Sequence, residues 1–105
     1  MLTNLEAAAR SCVVRAIEEV NVTRDPDQHV GTALDTDLLG AQSPLDSVTF
    51  AFLIVTIEQF AIDDYDADIV LFDEEAMGWD YESLDNPFYT VGSLAEFTAR
   101  KMDPG

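Results

Sequence analysis

The apolar run from Val48 to Phe60, "VTFAFLIVTIEQF", most strongly limits what this chain can fold into. It has almost no polar face, and its β-branched residues suit a buried strand as well as a helix, so periodicity alone does not decide between them. Its length and the helix-start residues before it favour a helix from about Ser47 to Phe60. The run is too short to cross a bilayer. A helix this apolar is expected at the centre of a small bundle, or covered by another part of the chain.

The composition is that of a small acidic globular protein. The 105 residues leave room for one domain, residues 1–105, and 48% hydrophobic content is too high for a disordered acidic tail. Five Lys+Arg against 21 Asp+Glu give a net charge of -16. Such a surface disfavours nucleic acid and anionic membranes and favours basic partner proteins. Acidity that only keeps a protein soluble explains the charge equally well.

The single cysteine and the first residues indicate the compartment. Cys12 is the only cysteine, so no intramolecular disulfide and no cysteine-rich metal site is expected. The N-terminal stretch "MLTNLEAAAR" has neither a basic leader nor a continuous apolar segment, unlike a signal peptide. The expected location is cytoplasmic, without membrane insertion.

Further helices are predicted on both sides of the apolar run. Thr3 and Glu6 form a capping-box pattern at the start of a first helix that ends near Asn21. Thr90 is the expected cap of the last helix, with Arg100 and Lys101 in its final turn. The inward-facing residues at helical spacing are Leu5, Ala9, Cys12, Ala16 and Val20 in the first helix and Val91, Leu94 and Phe97 in the last.

Between these helices the chain has breaker residues and acidic clusters. Residues 23–43 read as a long loop, held to the core by Leu34 and by Leu38 with Leu39. "DEEAM", residues 73–77, predicts one short helix. The predicted fold is therefore all-α: a small four-helix bundle of three main helices and one short helix, with a long first loop and an extended segment before the last helix. The apolar side chains of that segment either fill the core, the favoured interpretation, or line a pocket: Met77, Trp79, Tyr81, Leu84 and Phe88.

The stretch "SPLDSVTF" places an Asp-Ser pair where the apolar helix should begin. One interpretation is structural: Asp and Ser are preferred helix caps, and Ser43 with Pro44 and Asp46 fits a capping box. The other is functional, because a helix N-terminus favours a phosphate on a first-turn serine such as Ser47. The chain offers Ser47 no base, since its only histidine is in another loop and no Gly-x-Ser-x-Gly motif exists. Another enzyme would have to activate the hydroxyl, so the chain is expected not to be an enzyme.

Three segments together resemble the acyl carrier protein family. "TDLLG" precedes "LDSV", "IEQF" closes the apolar helix, and "YTVGSLAEFTARK" is similar to the family's last helix. The resemblance implies an acidic four-helix bundle of acyl-carrier type. It also implies that a phosphopantetheinyl transferase attaches 4′-phosphopantetheine to Ser47, with Asp46 and Val48 as the flanking recognition residues. The prosthetic thiol would carry an acyl or aminoacyl thioester between loading and accepting enzymes that have basic docking surfaces.

The chain also departs from that family. Val48 stands where leucine is usual, and Pro44-Leu45 replaces a Gly-Ala or Gly-Leu pair. Fatty-acid carriers have acidic residues in the helix after the serine, whereas here Glu58 is the only one before the helix ends. These differences favour a specialised stand-alone carrier of a lipid or secondary-metabolite pathway.

An alternative of another class is an acidic protein-interaction or Ca²⁺-binding module with an unmodified Ser47. Asp64, Asp66 and Asp68 match positions 1, 3 and 5 of a calcium loop, and Glu75 matches position 12. Ile69 occupies the position where that loop needs glycine, which disfavours calcium sensing.

Overall fold

The computed structural model describes residues 4–39, 45–71 and 86–103. Within them the chain forms three α-helices: α1 (Asn4–Val22), α2 (Ser47–Tyr65) and α3 (Val91–Met102). A single 3₁₀ turn, Pro26–Gln28, follows α1. These residues contain no strand, only an isolated bridge between Asp37 and Thr90. The prediction of an all-helical fold is confirmed for this part of the chain; the predicted short helix at residues 73–77 lies outside it.

Helix α1 is the central one of the three. It packs against both α2 and α3. Its small and β-branched side chains form one fully buried face, which lets both partners approach closely: Ala9, Cys12, Val13, Ala16, Ile17 and Val20. The expected end near Asn21 agrees with the observed end at Val22, and Thr3 of the predicted capping box lies outside the described residues. Among the described helices the central position is therefore taken by α1 and not by α2, while the alternative expectation, that another part of the chain covers α2, falls in part on residues outside the described ranges.

Helix α2 is longer than the sequence predicted. It continues five residues past Phe60 to Tyr65, because Ala61 still packs into the core with no exposed surface. Asp66 then ends it in the left-handed conformation, at φ 55°, and its backbone N–H donates to the Ala61 and Ile62 carbonyls. Aspartate tolerates this conformation better than most residues, so it can take the place of the usual C-terminal glycine.

Helix α3 begins and ends as predicted. Thr90 is its N-cap, and Ser93 completes a capping box by binding back to the Thr90 backbone. Val91, Leu94 and Phe97 are buried against α1 and the core. Phe88, just before the helix, has no exposed surface, and its ring makes edge contacts with Phe50 and with Phe97. Phe88 is therefore a core residue, while Met77, Trp79, Tyr81 and Leu84 lie outside the described residues.

Backbone hydrogen bonds hold the long first loop to the start of α3. The Leu38 N–H donates to the Tyr89 carbonyl at 2.6 Å, and the Leu38 side chain is buried, as predicted. Leu34 behaves differently, because 41% of its surface is exposed. Its carbonyl oxygen, and not its side chain, makes the anchor by accepting the Gly92 N–H at 2.8 Å. Leu34 therefore holds the loop to α3, as expected, but through its backbone, while its side chain is not among the buried core residues.

Candidate functional site

The start of α2 is capped by Asp46. The backbone of Asp46 is extended (φ -87°, ψ 174°), and its Oδ1 accepts the Thr49 N–H at 2.7 Å. Its own carbonyl accepts the first helical hydrogen bond, from the Phe50 N–H. Ser47 is therefore the first residue of α2. The cap of α2 is Asp46, and Ser43 and Pro44 of the alternative capping box lie outside the described part of the chain.

The Asp46 carboxylate is exposed and stays ionised at neutral pH. Its hydrogen bonds with Thr49 hold its pKa below the ordinary value, and the nearby Arg24 guanidinium acts in the same direction. A negative charge here also complements the positive end of the α2 dipole. The residue before Ser47 thus supplies both the cap and a fixed charge.

Arg24 is a neighbour of this site that the sequence did not reveal. One of its terminal nitrogens donates to the Thr49 hydroxyl at 3.2 Å, and its Nε donates to the Gln28 carbonyl at 3.0 Å. The His29 Nε2 lies 3.0 Å from the Arg24 carbonyl oxygen, so the exposed histidine belongs to the same turn. These contacts depend on the path of the loop after α1, which no local pattern encodes. Arg24 thereby places a cation beside the first turn of α2.

Beyond Ser47, α2 presents an apolar surface to solvent. Val48 is 78% exposed, Phe52 53% and Val55 60%. Together with the 40% exposed Ile62 they recur at spacings of four, three and seven residues, which places them on one face of the helix. We call these four residues the α2 stripe. Gln59 lies on the same face, with its amide hydrogen-bonded to Asp63.

The acidic groups of α2 have internal partners. Glu58, the acid that the sequence placed inside this helix, accepts the Leu71 N–H at 2.7 Å. Asp64 forms an ion pair with Arg15 of α1, and the Arg15 guanidinium also lies 4.4 Å from the centre of the Phe60 ring. Both carboxylates therefore have partners within the protein.

A calcium loop is not assembled by the described residues. Asp64 belongs to α2 and pairs with Arg15, so it does not open a loop. In the described ranges no three His, Cys, Asp or Glu side chains form a group suited to a metal ion. Glu75, the remaining residue of the calcium interpretation, lies outside those ranges.

A separate cleft of about 380 Å³ lies between α1, Leu34 and the first turns of α3. Its charged lining residues are Glu6, Arg10 and Glu96, and no α2 residue lines it.

None of the described helices is both long and apolar enough to span a membrane. The start of α2 is therefore the candidate site that combines the Asp-Ser pair with exposed surface.

Comparisons with known proteins add no relative. A scan against protein-family models found no match, and searches of curated proteins and of solved structures found none either.

Proposed function

We propose that this protein is a carrier whose Ser47 receives 4′-phosphopantetheine from coenzyme A. The observation that carries the proposal is the start of α2, where Asp46 caps the helix and leaves Ser47 as its first residue. The residues on both sides of Ser47, Asp46 and Val48, are exposed, so a modifying enzyme has access to this part of the backbone. The cap function is already met by Asp46, which frees the serine from that role.

The charge and the helix order support the same function. The chain is strongly acidic, and the three described helices follow the order and approximate spacing expected of a carrier, with the Asp-Ser pair at the start of the second. We extend the proposal to a four-helix bundle of acyl-carrier type located in the cytoplasm. In this proposal the protein is not itself an enzyme.

The attachment is a phosphoryl transfer carried out by a transferase. The Ser47 oxygen forms a bond to the phosphorus that bears pantetheine in coenzyme A, and the pyrophosphate P–O bond breaks. The departing group is 3′,5′-ADP, which takes the bonding electron pair, and the serine proton passes to a base of the transferase. The product is a phosphodiester with one negative charge, which the N-terminal dipole of α2 favours.

The prosthetic thiol then carries the cargo. Attached to Ser47, the phosphopantetheine group would supply a thiol that can hold an acyl or aminoacyl group as a thioester. Accepting enzymes with basic docking surfaces take the group from that thioester. The departures from fatty-acid carriers, above all the absence of acidic residues from the first half of α2, support a specialised carrier of a lipid or secondary-metabolite pathway.

Intact mass spectrometry tests this proposal. The folded protein is incubated with coenzyme A and a broad-specificity phosphopantetheinyl transferase, next to Ser47→Ala and Ser11→Ala variants and a known carrier as positive control. Wild type and Ser11→Ala are expected to gain one phosphopantetheine, and Ser47→Ala none. The proposal fails if the positive control is loaded and folded wild type is not.

A second candidate is an acidic protein-interaction module with an unmodified Ser47. The α2 stripe favours it, because exposed apolar side chains that share one helix face are typical of a contact surface. Such a module would bind partners and gain no mass from coenzyme A.

A further inference from the structure

Arg24 is the cation that the fold brings to the start of α2. The chain has 5 Lys+Arg against 21 Asp+Glu, so a basic side chain next to any given surface residue is uncommon. All five cations lie within the described ranges, and the other four belong to α1 or α3: Arg10, Arg15, Arg100 and Lys101. A cation beside the first turn of α2 therefore depends on Arg24 and on the loop that carries it.

Several hydrogen bonds hold Arg24 in this position. Its backbone N–H donates to the Asn21 carbonyl at 3.1 Å, and its Nε donates to the Gln28 carbonyl at 3.0 Å. The His29 Nε2 lies 3.0 Å from its carbonyl oxygen, and a terminal nitrogen donates to the Thr49 hydroxyl at 3.2 Å. The side chain is half-buried and already ordered, so a further contact with a ligand costs little conformational entropy.

A phosphate on Ser47 needs a compensating cation. Asp46 is exposed, its hydrogen bonds with Thr49 hold the pKa of its carboxyl below the ordinary value, and it is ionised at neutral pH. Its Oδ1 already accepts the Thr49 N–H, one of the donors that the end of a helix offers to an anion. A phosphate on the next residue would therefore meet a fixed negative charge and a helix end that is partly occupied. The Arg24 guanidinium offsets both effects.

We propose that Arg24 is a positioning residue for the prosthetic group, because its guanidinium binds the phosphate attached to Ser47 and holds it over the end of α2. This inference rests on the proposed function. The Cα atoms of a helix lie on a cylinder of radius about 2.3 Å, so a phosphate on Ser47 that folds over the helix end comes within reach of a guanidinium bound to Thr49. A planar guanidinium donates two parallel hydrogen bonds to phosphate oxygens. The pantetheine arm then begins at the end of α2, beside the Pro26–Gln28 turn, and not along the side of the helix.

Phosphoserine at position 47 tests this contact without a transferase. The full chain is produced with phosphoserine incorporated at that position, and phosphorus NMR follows the titration of the phosphate, whose second pKa is ordinarily about 6. A cation in contact with the phosphate favours its doubly charged form and lowers this pKa. Arg24→Gln is expected to raise the phosphate pKa by about 0.5 or more. Arg24→Lys keeps the charge without the planar pair of donors, so it should raise the pKa less.

Matched variants separate the contact from the general charge. Arg100→Gln removes the same charge from an exposed position in the last turn of α3, and it should change the phosphate pKa by less than about 0.2. The other charged or titratable side chains around the start of α2 are Asp25, Asp27, His29 and Asp46. They are the same in all these chains, and the effect of Arg24→Gln should persist when it is measured again with His29→Gln. Circular dichroism confirms that each variant is folded.

The arginine side chains supply a second measurement. The chain has four arginines, so their side-chain N–H signals in nitrogen–proton NMR spectra are assigned by substitution. The Arg24 signals should move when phosphoserine replaces Ser47, and again when phosphopantetheine is attached there. The Arg15 and Arg100 signals should stay in place.

Two results would overturn the inference. One is an equal phosphate pKa with and without the Arg24 side chain. The other is an Arg24→Gln variant that is less stable to heat but keeps the phosphate pKa, because Arg24 would then only support the loop. Loading of Ser47 by a transferase is measured separately by intact mass. A chain that is not loaded but shows the Arg24 effect refutes the proposed function and keeps the phosphate contact, whereas a loaded chain without the effect refutes the contact alone.

Discussion

Glu58 and Leu71 are joined by a 2.7 Å hydrogen bond, in which the Leu71 backbone N–H donates to the Glu58 carboxylate. Leu71 has no exposed surface, so this bond satisfies a backbone group at the edge of the core. The acid inside α2 thus stabilises the chain segment that follows the helix and does not serve as a surface charge for a partner.

Replacing Glu58 should therefore affect stability. Glu58→Ala is expected to lower the free energy of unfolding by about 1–2 kcal/mol, because the Leu71 N–H loses its acceptor, and Glu58→Gln should lose less because it keeps an oxygen there. Urea denaturation measures both variants. Glu19→Ala, at an exposed position of α1, is the control, and an equal loss in that variant would contradict the role assigned to Glu58.

Gly92 is expected to tolerate no side chain. A Cβ at this position would lie 2.9 Å from the Leu34 carbonyl oxygen, which also accepts the Gly92 N–H. Gly92→Ala should cost about 1–3 kcal/mol of stability despite the better helix propensity of alanine, because a backbone atom must move. Thermal unfolding measures the cost. At Gly31 a new Cβ meets the rotatable Thr36 side chain at 3.0 Å, so Gly31→Ala should lose less, and a reversed ranking would refute the explanation.

The Asp46 cap predicts a specific pH dependence. The folded-state pKa of Asp46 lies below its ordinary value, so its contribution to stability is present in full above about pH 3.9 and is lost as the pH falls through the lowered pKa. Asn also caps helices but carries no charge. The stability difference between wild type and Asp46→Asn should accordingly shrink on acidification, as followed by urea titrations at several pH values.

Asp25→Asn provides the comparison for that experiment. Asp25 precedes the 3₁₀ turn, and its side chain makes no capping hydrogen bond. The stability difference between wild type and this variant should be small, because the substitution removes no capping hydrogen bond. If Asp46→Asn behaves in the same way, the carboxylate is not the group that stabilises the start of α2.

The number of reactive thiols provides an independent test of the carrier proposal. Burial raises the pKa of the Cys12 thiol, with Arg15 acting weakly in the opposite direction, and only 1% of the residue is exposed. In the native unmodified protein Cys12 should react with a thiol reagent about a hundredfold more slowly than an exposed thiol, or slower still. After loading, one fast thiol should appear.

The Cys12→Ala variant isolates the new thiol. This variant should show no reactive thiol before loading and one afterwards. Unfolded wild type should show one reactive thiol before loading and two afterwards. A fast thiol in native, unloaded wild type would contradict the buried position of Cys12.

Local signals were enough to predict the helix ends that depend on neighbouring residues. The Thr90 cap of α3 and the end of α1 near Asn21 follow from side chains within one turn of the boundary. The sequence places the end of α2 too early, at Phe60, because acidic residues begin at Asp63. In the structure Ala61 continues the buried face, and Asp66 ends the helix in an unusual backbone conformation. A small residue in contact with a distant helix carries little signal in the sequence.

The candidate site was also predictable from the sequence only in part. The position of Ser47 after an Asp cap was predictable from residue types, but two alternatives for the cap, Ser43 and Asp46, remained until the backbone was known. The Arg24 contact with Thr49 joins residues that are 25 positions apart, so only the folded loop brings them together. The exposure of the α2 stripe was likewise hidden, since an all-apolar run does not indicate which of its faces remains uncovered.

The exposed α2 stripe affects the solubility of the protein. At neutral pH, mutual repulsion between highly charged molecules keeps the α2 stripes of neighbouring molecules apart. The isoelectric point lies near 4.1. At this pH the protonation of carboxylates removes the charge repulsion between molecules, while the α2 stripe is unchanged. Colloidal stability should therefore be lost in mild acid before the fold is, and the precipitate should redissolve with native helicity when the pH is raised.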